Sequence, residues 1–156
     1  EGYDLAIRLG KLKDSTLMAT KLGQRKIYLC ASPSYLARYG TPTSLTSLAK
    51  HNCLLGSKDH WGFNEKGKER KLQVTGSLRF NNGCGLLDAA LKGIGIAQLP
   101  DHYVNDYLVN GTLTTILSSF QEPDEDIWAL YPYNKQLPPK IRLLIDYLKD
   151  ELRRHS

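Results

Sequence analysis

A chain of 156 residues has the length of one ordinary domain. With 41% hydrophobic and 24% charged residues it is not a disordered chain, and no apolar run approaches the roughly 20 residues of a membrane span. The net charge of +5 is spread along the chain. Its one cluster, Lys58, Lys66, Lys68, Arg70 and Lys71, fits a solvated hairpin better than a nucleic-acid footprint.

In chain order, residues 5–9 form a short apolar run broken only by Arg8, and residues 26–31 form a second run rich in strand formers. Ser32-Pro33 predicts a helix start, with Ser32 as N-cap and Pro33 at the first helical position; Gly40 stops that helix. Thr43 or Ser44 caps a further short helix ending near Lys50, and residues 53–55 read as a short strand. Asn64-Glu65-Lys66-Gly67 suits a hairpin turn between residues 61–63 and 72–74, with Trp61 and Phe63 either core anchors, the preferred reading, or an exposed binding face. Residues 78–80 continue as a strand that Asn81-Asn82-Gly83 breaks. Leu86, Leu87, Ala90 and Leu91 then recur at helical spacing up to Gly93. Residues 94–99 read as a buried strand. Pro100-Asp101 opens a helix carrying Tyr103, Val104, Tyr107 and Leu108 on one side, closed by Asn110-Gly111. Strands are expected over residues 113–117 and 127–131, with an acidic loop over 121–126 between them. Leu137-Pro138-Pro139 leads into the clearest amphipathic helix, with Ile141, Leu144, Ile145, Leu148 and Leu152 at spacings of three and four. The alternation predicts an α/β fold with a largely parallel sheet.

Cys30, Cys53 and Cys84 are odd in number and far apart, which points to free, mostly buried thiols in a reducing compartment. Catalytic signatures fail one by one. Ser47-Leu48-Ala49-Lys50 matches a Ser-x-x-Lys motif, but Ser-Asp-Asn and Lys-Thr-Gly are absent, as is a Gly-x-Ser-x-Gly elbow. His51, His60, His102 and His155 build no metal-ligand pattern: His51 and Cys53 lack a second pair of ligands. No catalytic residue, metal or cofactor is therefore expected. The sequon Asn110-Gly111-Thr112 carries little weight without secretion signals.

One segment carries binding chemistry. Phe80-Asn81-Asn82-Gly83-Cys84-Gly85 lies between a strand and a helix and begins like a dinucleotide fingerprint, but Asp88 replaces the third glycine. A helix N-terminus there offers free N–H groups and the positive end of the dipole, and small residues let a ligand approach the backbone. Asn82 can also serve simply as the helix cap, which leaves the second asparagine free.

The ordered set of segments carries a resemblance. Glu1-Gly2-Tyr3-Asp4-Leu5-Ala6-Ile7-Arg8-Leu9-Gly10 is followed by Cys30-Ala31-Ser32-Pro33-Ser34-Tyr35-Leu36 and Gly40-Thr41-Pro42. Later come Leu78-Arg79-Phe80-Asn81-Asn82, Ala89-Ala90-Leu91-Lys92-Gly93-Ile94-Gly95-Ile96-Ala97-Gln98-Leu99-Pro100 and Leu137-Pro138-Pro139-Lys140-Ile141-Arg142. Over essentially its whole length the chain resembles the effector-binding domain of LysR-type bacterial transcriptional regulators. The resemblance implies a two-lobed fold like the type II periplasmic binding proteins, with two crossing strands and a small effector in the cleft. Mapped onto this chain, residues 27–31 and 127–131 are the crossing strands, 27–131 holds the second lobe, and 1–26 with 132–156 form a first-lobe remnant. It further implies an effector site at Asn81, Asn82, Gly83 and Cys84, at Arg8 and Leu9, and at Ser32, with Arg8 pairing an effector carboxylate or, equally, forming a structural salt bridge.

Against the family pattern, the N-terminal DNA-binding domain, the linker helix and the start of the first lobe are missing. The chain also has no initiator methionine and a polar start, and a fragment of a longer cytoplasmic protein is expected. DNA would be bound only through the missing part. The first lobe is expected to expose apolar surface that another copy covers, giving a dimer or tetramer; no membrane is involved. The alternatives are a solute-binding protein of the same fold, or an enzyme on a related fold.

Overall fold

The computed structural model describes residues 5–12, 17–132 and 137–154. The chain divides into two compact units, Glu1–Arg25 with Asp124–Ser156, and Lys26–Pro123. It passes from the first to the second at Arg25–Lys26 and returns at Pro123–Asp124.

The second unit opens with strand β3 (Ile27–Ala31), after β1 (Ala6–Leu9) and β2 (Leu17–Arg25) of the first. Helix α1 (Pro33–Tyr39) starts as the sequence predicts: Ser32 Oγ accepts from the Tyr35 N–H, proline occupies the first turn, and Gly40 ends the helix at φ 87°. A 3₁₀ turn, Thr46–Lys50, stands where a short helix was expected, and Ser44 Oγ accepts from Ser47 N–H at 3.3 Å. Strands β4 (His60–Glu65) and β5 (Lys68–Gln73) pair through a two-residue loop. Lys66 and Gly67 both have positive φ, 53° and 83°, the twist that a tight antiparallel hairpin needs. Trp61 and Phe63 face the core, while Lys66, Lys68, Arg70 and Lys71 lie on exposed hairpin positions.

Helix α2 (Gly83–Leu91), strand β6 (Ala97–Pro100), helix α3 (Asp101–Val109) and strand β7 (Thr114–Thr115) complete the second unit. Strand β8 (Glu125–Pro132) and helix α4 (Pro139–Arg154) return to the first. One core of the second unit gathers Tyr35, Leu48, Trp61, Phe63 and Ile96; a second packs Leu86, Ala90, Leu99, Val104 and Leu113 between sheet, α2 and α3. In the first unit β8 lies between β1 and β2, and Leu22, Ile127, Ala129 and Ile145 form the core beneath α4. The α4 positions Ile141, Ile145, Leu148 and Leu152 face that core as their spacing predicts, whereas Leu144 stays 42% exposed.

Several expectations are corrected. The sheet is not largely parallel: every ladder, β1-β8-β2, β6-β3-β7 and β4-β5, is antiparallel. Among the described residues parallel neighbours shrink to two isolated bridges, Cys53↔Ile96 and Leu55↔Arg79. The reason is chain direction: residues 53–55, 78–80 and β6 run alongside one another, but β3, between β6 and β7, runs the opposite way. Residues 113–117 form a ladder only at Thr114–Thr115. Leu17–Arg25, which has no clean alternation, is a nine-residue strand. Separately, the two units meet in sequence after Pro123, and β8 pairs with β1 and β2.

Candidate functional site

Asn82 is the N-cap of α2. Its Oδ1 accepts the Gly85 N–H at 2.8 Å and its Nδ2 donates to Asn81 Oδ1 at 3.2 Å, with both asparagines exposed. The capping role and an exposed position therefore coexist. The glycines have a packing role of their own. A Cβ on Gly83 would lie 2.4 Å from Tyr103 Cζ, and one on Gly85 2.5 Å from Phe80 Cδ1. Both positions are held small by aromatic rings that close against the helix. Cys84 points outward and is exposed.

Chain direction decides which candidates share an end of the second unit. Ile27, where the chain enters, pairs with Pro100 at the end of β6. Residues 53–55 and 78–80 run parallel to β6, so Phe80 and the following Asn81-Asn82-Gly83-Cys84 lie at this entry end. Ser32 follows the other end of β3, five residues or roughly 17 Å away. There it is 4% exposed, caps α1, and sits against Gly93, which follows the C-terminus of α2. Ser32 is thus at the opposite end of α2 from Asn82, and its hydroxyl is committed to Tyr35 N–H and Ser34 Oγ.

In the first unit the same logic applies to Arg8 and Leu9. Leu9 pairs with Ile127, and Arg25 pairs with Glu125, so the Leu9 end of β1 is the end where the chain leaves and returns. Gly10 N–H donates to Asp126 O at 2.8 Å, and the Trp128 indole donates to Gly10 O at 3.0 Å. Arg8 is exposed and makes no ion pair among the described residues, so the salt-bridge alternative finds no support there. Trp128 stands opposite both Arg8 and Lys21, and cross-strand partners share a face. Lys21 is neutralised by Asp126 at 3.1 Å, and Arg25 by Glu125 at 2.6 Å. Hydrogen bonds from Gln24 and Lys21 hold the Asp126 carboxyl below its ordinary value. Among the described residues Arg8 therefore carries the uncompensated charge of the row it forms with Trp128 and Lys21. Trp128 and Lys21 escaped sequence reasoning because register, invisible in one sequence, places them beside Arg8.

Burial pushes the Cys30 thiol up to about 12 and the Cys53 thiol to about 11, which makes both inert as nucleophiles. Among the described residues no group of His, Cys, Asp and Glu could hold a metal ion, and no helix is long and apolar enough to cross a membrane.

Comparison with known proteins gives a consistent picture. The family described as LysR substrate binding domain matches residues 1–153. The HTH-type transcriptional regulator DmlR of Escherichia coli K12 is 32% identical over 160 residues, covering 99% of this chain and 52% of DmlR. The regulatory domain of AphB from Vibrio vulnificus superposes with a TM-score of 0.81 at 33% identity, covering 96% of this chain and 75% of that one. The regulatory domain of CrgA, a LysR-type transcriptional regulator from Neisseria meningitidis, gives 0.77 at 31% identity, with coverage of 96% and 75%. The chain spans about half the length of the curated relatives it matches. These matches carry the expected α/β, two-lobed periplasmic-binding-protein-like fold.

Proposed function

The chain belongs to the LysR substrate-binding-domain family, and from that premise we propose that it is the ligand-sensing regulatory part of a bacterial DNA-binding transcriptional regulator in the cytoplasm. In this reading a small anionic effector contacts Asn81, Asn82, Gly83 and Cys84 in the second unit and Arg8 and Leu9 in the first. The supporting observation is topological: within each unit these residues lie at the end through which the chain enters or leaves. The chemistry fits an anion, since the first turn of α2 presents N–H groups and the positive end of a dipole, and Arg8 offers a bidentate guanidinium. An effector that binds one arrangement of the units better shifts the population toward it. In the assembled dimer or tetramer that shift alters the geometry of DNA-binding parts elsewhere in the protein. Ile7 and Met18, each about half exposed, are the apolar surface that a second copy or another part of the protein would cover. No bond-making step belongs to the proposal.

The test is a thermal-shift screen of small carboxylates, amino acids and aromatic acids on the intact protein. A ligand at a hundred times its dissociation constant stabilises by about 2.7 kcal/mol. Asn82→Asp keeps the cap, because aspartate caps as well as asparagine, but sets a negative charge in the site. Loss of the shift with unchanged melting of the free protein supports the assignment. Full retention of an anionic effector's shift by Asn82→Asp refutes it.

A further inference from the structure

His51 closes the 3₁₀ turn and stands against α1. Three groups meet there. The Tyr35 hydroxyl lies 2.7 Å from His51 Nδ1 and accepts the backbone N–H of Asn52 at 3.2 Å. An amide N–H can only donate, so the phenol oxygen is the acceptor of that bond; among the described residues Nδ1 is the one acceptor in reach of the buried phenol's own proton, which goes there. The network thereby assigns the neutral imidazole with its proton on Nε2. Tyr35 is 2% exposed, and its hydroxyl has no further hydrogen bond among the described residues.

The segment holding this contact has no slack. Asn52 O accepts from Ile96 N–H at 2.9 Å, and Asn52 Nδ2 donates to Ser77 Oγ at 2.9 Å and to Ile94 O at 3.0 Å. A Cβ on Gly76 would lie 1.8 Å from Cys53 O, and one on Gly95 2.5 Å from Asn52 O, so the chain is clasped from both sides. Tyr35 ties α1 to that fixed point.

The surroundings give a proton on His51 no compensation. From α1 the facing titratable or charged groups are Tyr35, Tyr39, whose ring centroid is 4.9 Å from that of Tyr35, and Arg38, 5.8 Å from the Tyr39 centroid. On its own segment they are Lys50 and Cys53, whose Sγ is 3.9 Å from His51 O. Residues 75–78 and 94–96, packed against Asn52, carry none. No carboxylate pairs with the imidazole among the described residues.

We propose that the Tyr35–His51–Asn52 contact is an acid-released latch, in which a proton on His51 Nδ1 breaks the bond from the Tyr35 phenol and loosens α1 from the Asn52 segment. With Nδ1 protonated, two N–H donors face one phenol oxygen and the phenol proton loses its acceptor. Burial also holds the His51 imidazole below its ordinary value of 6.5. The folded value lies below the unfolded one, so the latch contributes fully above about pH 6.5 and is lost as pH falls through the folded value. The response of Asp126, a carboxyl held below its ordinary 3.8, belongs to a separate, more acid range. The latch is independent of effector binding and gives the second unit its own response to acid.

The experiment is a histidine ring titration by NMR on the intact protein, together with intrinsic-rate-corrected amide protection of α1, in wild type, Tyr35→Phe and His51→Asn. The His51 signal is the one absent from His51→Asn. The latch requires His51 to titrate below the ordinary histidine value, Tyr35→Phe to move it upward, and α1 protection to fall between pH 7 and pH 5 in wild type. In His51→Asn, where Oδ1 accepts from the phenol but does not titrate, protection stays level. A His51 value at or above the ordinary one, or the same acid loss of protection in His51→Asn, overturns the proposal. That second arm decides the matter even where Tyr35→Phe does not fold.

Discussion

Gly83→Ala tests whether the first turn of α2 is kept small by packing. The added methyl would stand 2.4 Å from Tyr103 Cζ and 2.7 Å from both Cε2 and the hydroxyl oxygen. Carbon atoms prefer separations of about 3.5–4.0 Å, so something must move. The obstructing atoms are the far end of one side chain, whose ring also stacks on His102 with centroids 4.3 Å apart. Relief comes from swinging that ring aside, and overpacking of this kind costs about 1–3 kcal/mol. In a Tyr103→Ala background the obstruction is gone, and alanine instead gains up to about 1 kcal/mol over glycine in a helix. The double-mutant cycle should therefore show a coupling of about 2 kcal/mol or more, against the roughly 0.5 kcal/mol scatter of independent sites. The assay is urea unfolding followed by Trp61, buried in the second unit, in a Trp128→Phe background that removes the emission of the first unit. Additivity of the two substitutions would refute the packing explanation and return Gly83 to close approach by a ligand.

Gly76→Ala should be far harsher than Gly83→Ala, because the new methyl meets the Cys53 carbonyl oxygen at 1.8 Å and backbone cannot swing away. More than about 3 kcal/mol of destabilisation is expected, read as loss of the Trp61 unfolding transition. Thiol labelling of the native protein should modify Cys84 alone and reach Cys30 and Cys53 only on unfolding; their thiols are buried and raised to about 12 and 11. Equal labelling rates for all three would contradict the packing around β3 and residues 53–55. Arg8→Ala should leave the unfolding free energy unchanged within about 0.5 kcal/mol, since an exposed side chain with no ion pair among the described residues carries little stability. It should weaken a carboxylate effector by about 1.5–3 kcal/mol, measured by calorimetry.

Local chemistry was legible in the sequence where a few neighbouring residues decide the outcome. Ser32-Pro33 and Asn82 cap their helices because side-chain oxygens reach N–H groups three residues on, a distance set by the helix itself. The last helix was legible because Ile141, Ile145, Leu148 and Leu152 repeat at its period. Trp61 and Phe63 were legible as core because they alternate along a strand whose opposite face is polar. Residues 17–25 were not: Gly23 and a register shift between Lys21 and Gly23 spoil the alternation, and the strand exists because β8 pairs with it.

What one sequence determined by itself was therefore the set of caps, turns and amphipathic faces, and, through the ordered set of segments, the family. Tertiary structure alone decided strand direction, register and which residues share an end. Antiparallel and parallel neighbours offer the same alternating side chains, so the direction of β3 relative to β6 leaves no mark in composition. Ser32 and Asn82, alike as helix caps in the sequence, end up at opposite ends of α2 because β3 runs against the strand segment that precedes that helix. Arg8, Trp128 and Lys21, widely separated in the chain, become one row because hydrogen-bonded ladders fix positions that sequence separation does not.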